Sequence, residues 1–245
     1  KLFDAVQSSI DLTRCEEYTV EAGRPDTVTC EKLSAIKKGG IGRISINPQT
    51  TSDETLKIIG RNHTYKDFLD AFDLARSMGF DNINCDVIAG LPNEKPSDFE
   101  DTMKKISALS PENITVHTLY IKRASRLRSV WKYDTSAEEI SRMVETAQKM
   151  CRKTGYNPYY LYKQKSTLGN LENVGYAKPG RECIYNIDTM SDGSHVFALG
   201  AGAVTKIVLG KRIERIFNFK NADDYINKFD EIIKRKSEIS KLIRG

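Results

Sequence analysis

Four polar residues stand at or just past the ends of short apolar segments in the first half of the chain: Glu21, Gln49, Asp86 and Tyr120. These side chains donate or accept hydrogen bonds, and two of them carry negative charge, so together they could hold a polar ligand. The segments are residues 17–22, 43–47, 82–90 and 114–121, and an amphipathic helix pattern separates each from the next. This rhythm is typical of parallel strands joined by helices, in which reactive groups project from the carboxyl ends of the strands.

Capping signals and apolar periodicity predict the elements that must position these residues. Predicted helix N-caps are Thr51, Thr64, Ser97 and Ser136, and Glu54, Glu100 and Glu139 complete capping boxes. After Gly155 the pattern changes: segments 157–162, 183–189 and 195–199 are predicted as strands, with a hairpin turn at 191–194, and 221–243 as a helix. The sequence therefore predicts an α/β fold, with a partial barrel of parallel strands over residues 1–155 and an α+β extension over 156–245.

Composition limits the class of protein. The 245 residues are 39% hydrophobic and 29% charged, which is typical of a globular chain. No apolar run reaches the ~18 residues of a membrane span, and no signal peptide is evident. The five cysteines are odd in number and form no CxxC pair, which favours reduced thiols and a cytoplasmic location. The net charge of +5 arises from interleaved charges, so it indicates an anionic ligand without requiring nucleic acid.

Two of the polar residues have competing explanations. Asp86 lies in an otherwise apolar strand and needs a hydrogen-bond partner, which a ligand hydroxyl or a neighbouring loop amide would supply. Arg61, in the loop after the second strand, offers a planar fork for a carboxylate, although an isolated loop arginine is more often a solvated charge. The three histidines are too scattered for a zinc site and are predicted to be structural: His63, His117 and His195.

Several motifs resemble the oxygen-independent coproporphyrinogen III oxidase family of radical S-adenosylmethionine (SAM) proteins, and most closely its coproporphyrinogen dehydrogenase branch. They are VEAGRPDT at 20–27, ISINPQT at 44–50, GRNHT at 60–64, DVIAGLP at 86–92, TVHTLYIKRASRL at 115–127, YYLYKQK from 159 and LGNLENVGYAKPG ending at 180. The resemblance covers essentially the whole chain. It implies a partial radical-SAM (β/α) barrel that binds SAM.

By this resemblance, the SAM contacts fall on Glu21, Gln49, Arg61, Asp86 and Tyr120, with a further backbone contact in residues 204–206, at Lys206. The family also holds a [4Fe-4S] cluster in a CxxxCxxC loop, and a GGGTP-type segment helps to seat SAM. Neither motif occurs in this sequence. We therefore expect the chain to be a piece of a longer enzyme, without the metal ligands and inactive by itself.

The implied activity is the oxidative decarboxylation of two propionates of coproporphyrinogen III, which gives the vinyl groups of protoporphyrinogen IX. A flavodoxin or ferredoxin would donate the electron, and the basic run Lys122, Arg123, Arg126 and Arg128 could bind the propionates or be a solvated face. One alternative is a haem-binding chaperone that retains the SAM fold. Another is an unrelated barrel enzyme for a phosphorylated metabolite, for which residues 199–204 (LGAGAV) are the candidate phosphate loop.

The segment at 17–22 is predicted to be the edge of an open sheet. Its unpaired backbone groups would pair readily with another chain. We therefore expect residues 1–14 to cover this edge, or a second copy of the chain to pair with it as an edge-strand dimer.

Overall fold

The computed structural model describes residues 1–120, 135–163 and 171–244. Its helices are α1 (Leu2–Ser9), α2 (Cys30–Lys38), α3 (Asp53–Ile58), α4 (Tyr65–Ser77), α5 (Pro96–Ala108), α6 (Ala137–Lys153), α7 (Ile184–Met190), α8 (Ala222–Asn227), α9 (Phe229–Ser237) and α10 (Ile239–Arg244). Its strands are β1 (Thr19–Glu21), β2 (Arg43–Ser45), β3 (Ile83–Ala89), β4 (Asn113–Thr118), β5 (Asn157–Lys163), β6 (Glu172–Ala177), β7 (Val204–Leu209) and β8 (Arg212–Phe217). The chain divides into two compact units, Lys1–Cys183 and Ile184–Gly245.

The first unit is built on a six-stranded sheet of order β1-β2-β3-β4-β6-β5. Strands β1 to β4 are parallel, β6 is antiparallel to β4, and β5 is antiparallel to β6. The α/β fold with a mainly parallel sheet is therefore confirmed. The boundary predicted after residue 155 falls between α6 and β5, where the antiparallel extension of this sheet begins.

The two faces of this sheet differ in chemistry. One face carries apolar side chains, among them Ile44, Val87 and Val116, which are buried in one core with residues of α4, α5 and α6. Because side chains alternate along a strand, residues such as Asn84 and Asp86 point to the opposite face. The strands are thus not the continuous apolar runs that a sheet covered on both faces would show. The alternation leaves one polar face, on which the candidate site lies.

Caps explain where the crossover helices begin. Thr64 and Ser136 form the predicted N-caps of α4 and α6, each with a complete capping box. The other two predicted N-caps are wrong: Ser52 rather than Thr51 caps α3, and Lys95 precedes α5. The Ser52 hydroxyl accepts from the backbone of Thr55, and α5 starts with a proline, whose fixed φ suits the first turn of a helix.

The second unit departs from the sequence prediction. Residues 183–189, predicted as a strand, instead contain helix α7, and residues 195–199 make only one bridge, Val196 to Lys206. The hairpin is formed by β7 and β8, whose two-residue loop begins at Gly210 with a φ of 61°. Residues 221–243 form three short helices instead of one. The backbone leaves the helical region at Lys228, which causes the first break, and the second break is at Glu238.

In the ranges that the structure describes, no helix has both the length and the apolar character needed to cross a membrane.

Candidate functional site

Asp86 lies at the centre of a hydrogen-bond network on the polar face. Its carboxylate accepts from Nδ2 of Asn84 at 2.8 Å and from Nδ2 of Asn47 at 2.8 Å, and its backbone N–H donates to Oδ1 of Asn47 at 3.2 Å. Asn84 and Asp86 are two residues apart on β3 and so share a face. The side chain remains 19% exposed, which leaves the carboxylate open to a ligand.

Strand register extends the network to β1 and β4. Glu21 pairs with Ser45, and Ser45 pairs with Asn84, so the three side chains form a row across the sheet. The Ser45 hydroxyl donates to Glu21 Oε1 at 3.0 Å and accepts from Asn84 Nδ2 at 3.0 Å, while Thr115 Oγ1 donates to Asn84 Oδ1 at 3.1 Å. Four parallel strands therefore contribute to one connected polar row.

On the other side of Asp86, the network continues through a histidine. His117 Nε2 lies 3.5 Å from Asp86 Oδ2, and His117 Nδ1 lies 3.2 Å from the hydroxyl of Tyr162 on β5. The Tyr162 ring is nearly parallel to that of Tyr160, with centroids 6.3 Å apart. Gly175 on β6 leaves room for Tyr160, because a Cβ at this position would collide with the tyrosine ring.

The two acidic residues have pKa values shifted in opposite directions. Burial alone would raise the pKa of Asp86, but the contact with His117 and the hydrogen bond from Asn84 outweigh it and lower the pKa. Much of Glu21 is exposed, yet the desolvation of its carboxyl group and the nearby charge of Asp86 raise its pKa, opposed by the Ser45 hydroxyl. Asp86 is therefore ionised at neutral pH, and its pKa lies on the opposite side of the usual carboxyl value from that of Glu21.

Gln49 occupies the exit from β2. Its backbone N–H donates to Asp86 O at 3.0 Å and its carbonyl accepts from Ile88 N at 2.9 Å, although its φ of 66° lies in the left-handed region. The residue is 6% exposed, and its side-chain amide has no hydrogen-bond partner among the described residues.

Arg61 follows α3, where its backbone N–H donates to Leu56 O at 2.8 Å. Its guanidinium is half-buried and makes no hydrogen bond or ion pair within the described part of the chain. Burial and the positive charge of Arg24 lower the pKa of Arg61, while the charges of Asp26 and Asp86 oppose this shift. Arg61 and Asp86 are therefore within electrostatic range of each other, and a partly desolvated fork without a partner is suited to an anion.

The remaining two predicted site residues are Tyr120 and Lys206. Tyr120 is half-buried, two residues beyond the end of β4, while Lys206 belongs to the second unit. The Lys206 ammonium donates to the carbonyls of Asp188, Thr189 and Ser191 at 3.0, 3.3 and 3.1 Å, and its backbone pairs with Val196. Those bonds give Lys206 a structural role at the end of α7. The basic run at residues 122–128 lies outside the described residues.

Sequence reasoning missed most of the polar row and assigned His117 to structure. The residues missed are Ser45, Asn47, Asn84, Thr115, Tyr160 and Tyr162. A signal was present, because Asn84 and Asp86, like Thr115 and His117, alternate with apolar residues.

The described residues do not fit an iron–sulfur cluster. No group of three or more His, Cys, Asp or Glu side chains within them could hold a metal ion. Cys85 and Cys151 are buried in the core, where desolvation raises the pKa of both thiols, that of Cys151 to about 12, whereas cluster ligands are thiolates. SAM fits better, because Asp86 offers an ionised carboxylate on the polar face, and the Gln49 amide and the Arg61 guanidinium have no partner among the described residues.

Comparison with known proteins agrees with this geometry. Residues 11–106 match the radical SAM superfamily. The structure superposes on the radical SAM enzyme coproporphyrinogen III oxidase (HemN) from Escherichia coli with a TM-score of 0.73 and 18% identity, over 94% of this chain and 52% of that one. The chain belongs to the radical SAM superfamily, whose cofactors are SAM and a [4Fe-4S] cluster.

Two relatives indicate which members of the superfamily this chain resembles. The chain is 45% identical, over 238 residues, to the oxygen-independent coproporphyrinogen-III oxidase-like protein HemZ of Bacillus subtilis, covering 95% of this chain and 47% of that protein. It is 29% identical, over 211 residues, to the haem chaperone HemW of the same organism, covering 83% of this chain and 51% of HemW. The chain thus spans about half the length of these relatives.

Proposed function

We propose that the polar face is the SAM site of a radical SAM enzyme of haem biosynthesis. The observation that carries the proposal is the ionised, hydrogen-bonded carboxylate of Asp86, within electrostatic range of an Arg61 guanidinium that has no partner among the described residues. Arg61 binds the methionyl carboxylate as a fork, and Asp86 accepts from ribose hydroxyl or amino groups. Glu21 and Tyr120 contribute further hydrogen bonds at the same strand ends.

Bound SAM and a reduced [4Fe-4S] cluster would supply radical chemistry. The residues of this chain bind and orient SAM. Asn47 and Asn84 hold the Asp86 carboxylate by two hydrogen bonds, so it meets the ligand already oriented. His117 keeps Asp86 ionised and is itself oriented by Tyr162.

The proposed reaction is the oxidative decarboxylation of coproporphyrinogen III propionates to vinyl groups, giving protoporphyrinogen IX, with an electron donor of the flavodoxin or ferredoxin type. The 45% identity to a coproporphyrinogen oxidase-like protein supports this substrate class. The tyrosines of β5 offer aromatic surface next to the SAM face, where a tetrapyrrole could lie.

A haem chaperone is the second candidate. It is favoured by the relatives named HemW, which are similar over most of this chain. Titration of the intact protein with haem, beside an anaerobic decarboxylation assay, separates the two functions. Vinyl product supports the oxidase, whereas stoichiometric haem binding without product supports the chaperone.

The SAM assignment is tested by Asp86→Ala and Arg61→Ala in the intact protein. Each substitution should weaken SAM binding by about 1–3 kcal/mol, the usual loss when a charged hydrogen-bond partner is removed. Calorimetric titration measures the affinity for SAM. The matched controls Asp73→Ala and Arg142→Ala, at exposed helix positions, should leave this affinity unchanged. Unchanged affinity in both site variants would refute the assignment.

A further inference from the structure

The loop that carries Gln49 is held in an unfavourable backbone conformation. A left-handed φ in a residue other than glycine, such as the 66° of Gln49, is unfavourable and persists only where the surroundings enforce it. In the proposed function, the side chain of Gln49 binds SAM. The contacts that hold residues 48–52 therefore determine where this amide is presented.

A buried carboxyl holds the residue that follows Gln49. The hydroxyl of Thr50 donates to Glu94 Oε1 at 2.5 Å, and the two residues are only 1% and 4% exposed. Glu94 lies in the turn between β3 and α5, so the bond connects the exit of β2 to the exit of β3. Thr102 of α5 adds a second hydrogen bond to this loop: its hydroxyl accepts from the backbone N–H of Thr51 at 3.3 Å.

The other side of Gln49 is held as well. His63 Nε2 lies 3.4 Å from the carbonyl oxygen of Pro48, and the backbone groups of Gln49 pair with β3. The loop is thus fixed at Pro48, Gln49 and Thr50, while the Gln49 amide has no partner among the described residues. This is the arrangement of a preorganised ligand contact.

A buried carboxyl such as Glu94 loses more hydration energy than a purely structural contact would need to lose. Its second carboxyl oxygen is buried without a hydrogen-bond partner in the described residues. The charged groups around the adjoining cleft, of about 320 Å³, are Glu54 of α3 and Asp98, Asp101 and Lys105 of α5. Desolvation raises the pKa of Glu94 to about 7, Asp98 adds to the shift, and Thr50 and Thr55 oppose it.

We propose that Glu94 is a positioning residue for the SAM site, which acts through the Thr50 hydroxyl to fix the backbone of Gln49. The inference rests on the proposed function, in which Gln49 contacts SAM. Glu94 itself touches no ligand. Its effect on SAM affinity must therefore pass through Gln49.

Calorimetric titration of the intact protein with SAM tests this coupling. Thr50→Val, which keeps the side-chain shape, and Glu94→Ala should each weaken SAM binding about tenfold, the loss of one oriented hydrogen bond. Glu94→Gln retains an acceptor for Thr50 and should restore the affinity. In a Gln49→Ala background, Thr50→Val should cause no further loss, because the contact it positions is already gone.

Glu100→Gln, which removes a half-exposed ion-pair partner of Lys104 on α5, is the matched control and should not change SAM affinity. If Gln49→Ala is without effect, the SAM assignment of Gln49 fails. If Gln49→Ala weakens binding but Thr50→Val does not, the positioning role alone is overturned. Losses that add in the double variant would also overturn it. Thr50→Val decides the matter if Glu94→Ala does not fold.

Discussion

Hydrogen bonds and the contact with His117 separate the pKa values of two carboxyls of this protein, Asp86 and Glu94. Asp86 accepts from two amides and contacts His117, and its pKa is lowered. Glu94 accepts from one threonine, and its pKa is raised to about 7. The difference follows from the number of donors that replace water around each group.

The raised pKa makes stability depend on pH. Glu94 titrates at 4.5 when unperturbed and at about 7 in the folded protein, so the folded state binds the proton more tightly. The contribution of protonated Glu94 to the free energy of unfolding is fully present below pH 4.5 and is lost as pH rises through 7. At pH 8, Glu94→Gln should therefore be more stable than the parent chain, by up to about 3 kcal/mol.

Urea unfolding at pH 5 and pH 8 measures this difference, which should shrink markedly at the lower pH. Glu100→Gln, at a half-exposed position, should show no such pH dependence. An advantage of equal size at both pH values would contradict a raised pKa for Glu94.

Sequence reasoning found some of these residues and not others. Gln49 could be predicted because it follows the end of β2, where a parallel fold places its ligands, and Asp86 because a carboxylate is unusual in an apolar strand. The expectation that Asp86 stands at a strand end is wrong, since it lies in the middle of β3. Glu94 could not, because its partner Thr50 lies 44 residues away along the chain and only the fold brings the two together. The backbone contact at Lys206 stays a prediction, while its ammonium bonds to three carbonyls near the end of α7, where no sequence signal marked a helix.

Among the elements, the antiparallel pair β5 and β6 depends on one close approach. The ring of Tyr160 lies over Gly175, and no other residue type leaves this space. Gly175→Ala should lower the free energy of unfolding by about 1–3 kcal/mol, the usual cost of overpacking. It should also displace Tyr160 from the polar face.

Thermal unfolding, with the near-ultraviolet tyrosine signal, measures both effects. Gly42→Ala is the matched control, since a Cβ there meets no neighbouring atom and the backbone needs no left-handed φ. If Gly175→Ala proved as stable as Gly42→Ala, the close packing of Tyr160 would be refuted.

Prediction of elements succeeded where apolar periods were long and failed where segments were short. Helices α4 and α6 have repeated apolar positions and true capping boxes, and both were predicted. The seven residues of α7 suit a strand or a helix equally, so tertiary contacts decide. For β7 and β8, the two-residue loop starting with Gly210 was a usable hairpin signal that the prediction passed over.

For the whole molecule, β1 lies at the edge of the sheet with one strand neighbour in the described residues. It is three residues long, and shortness itself limits pairing with other chains. Close to it, Phe3 of α1 meets Tyr18 edge-on, with ring centroids 6.4 Å apart, and Gln7 donates to Gly39 O at 3.2 Å.

We expect the amides of residues 19–21 to exchange slowly with solvent, either under the N-terminal segment or within an edge-strand dimer. Hydrogen exchange measures the protection, and size-exclusion chromatography with light scattering distinguishes the two arrangements. A strict monomer with fast exchange at these amides would contradict the assignment of β1 as a paired strand.

Because one face of the sheet is polar and the other apolar, ligand binding and folding should change the heat capacity differently. Burial of apolar surface lowers heat capacity, whereas burial of polar surface raises it. A ligand that covers Glu21, Ser45, Asn84 and Asp86 removes mainly polar surface from water. Its binding should therefore carry a heat-capacity change near zero or positive, while folding, which buries the apolar face, carries a large negative one.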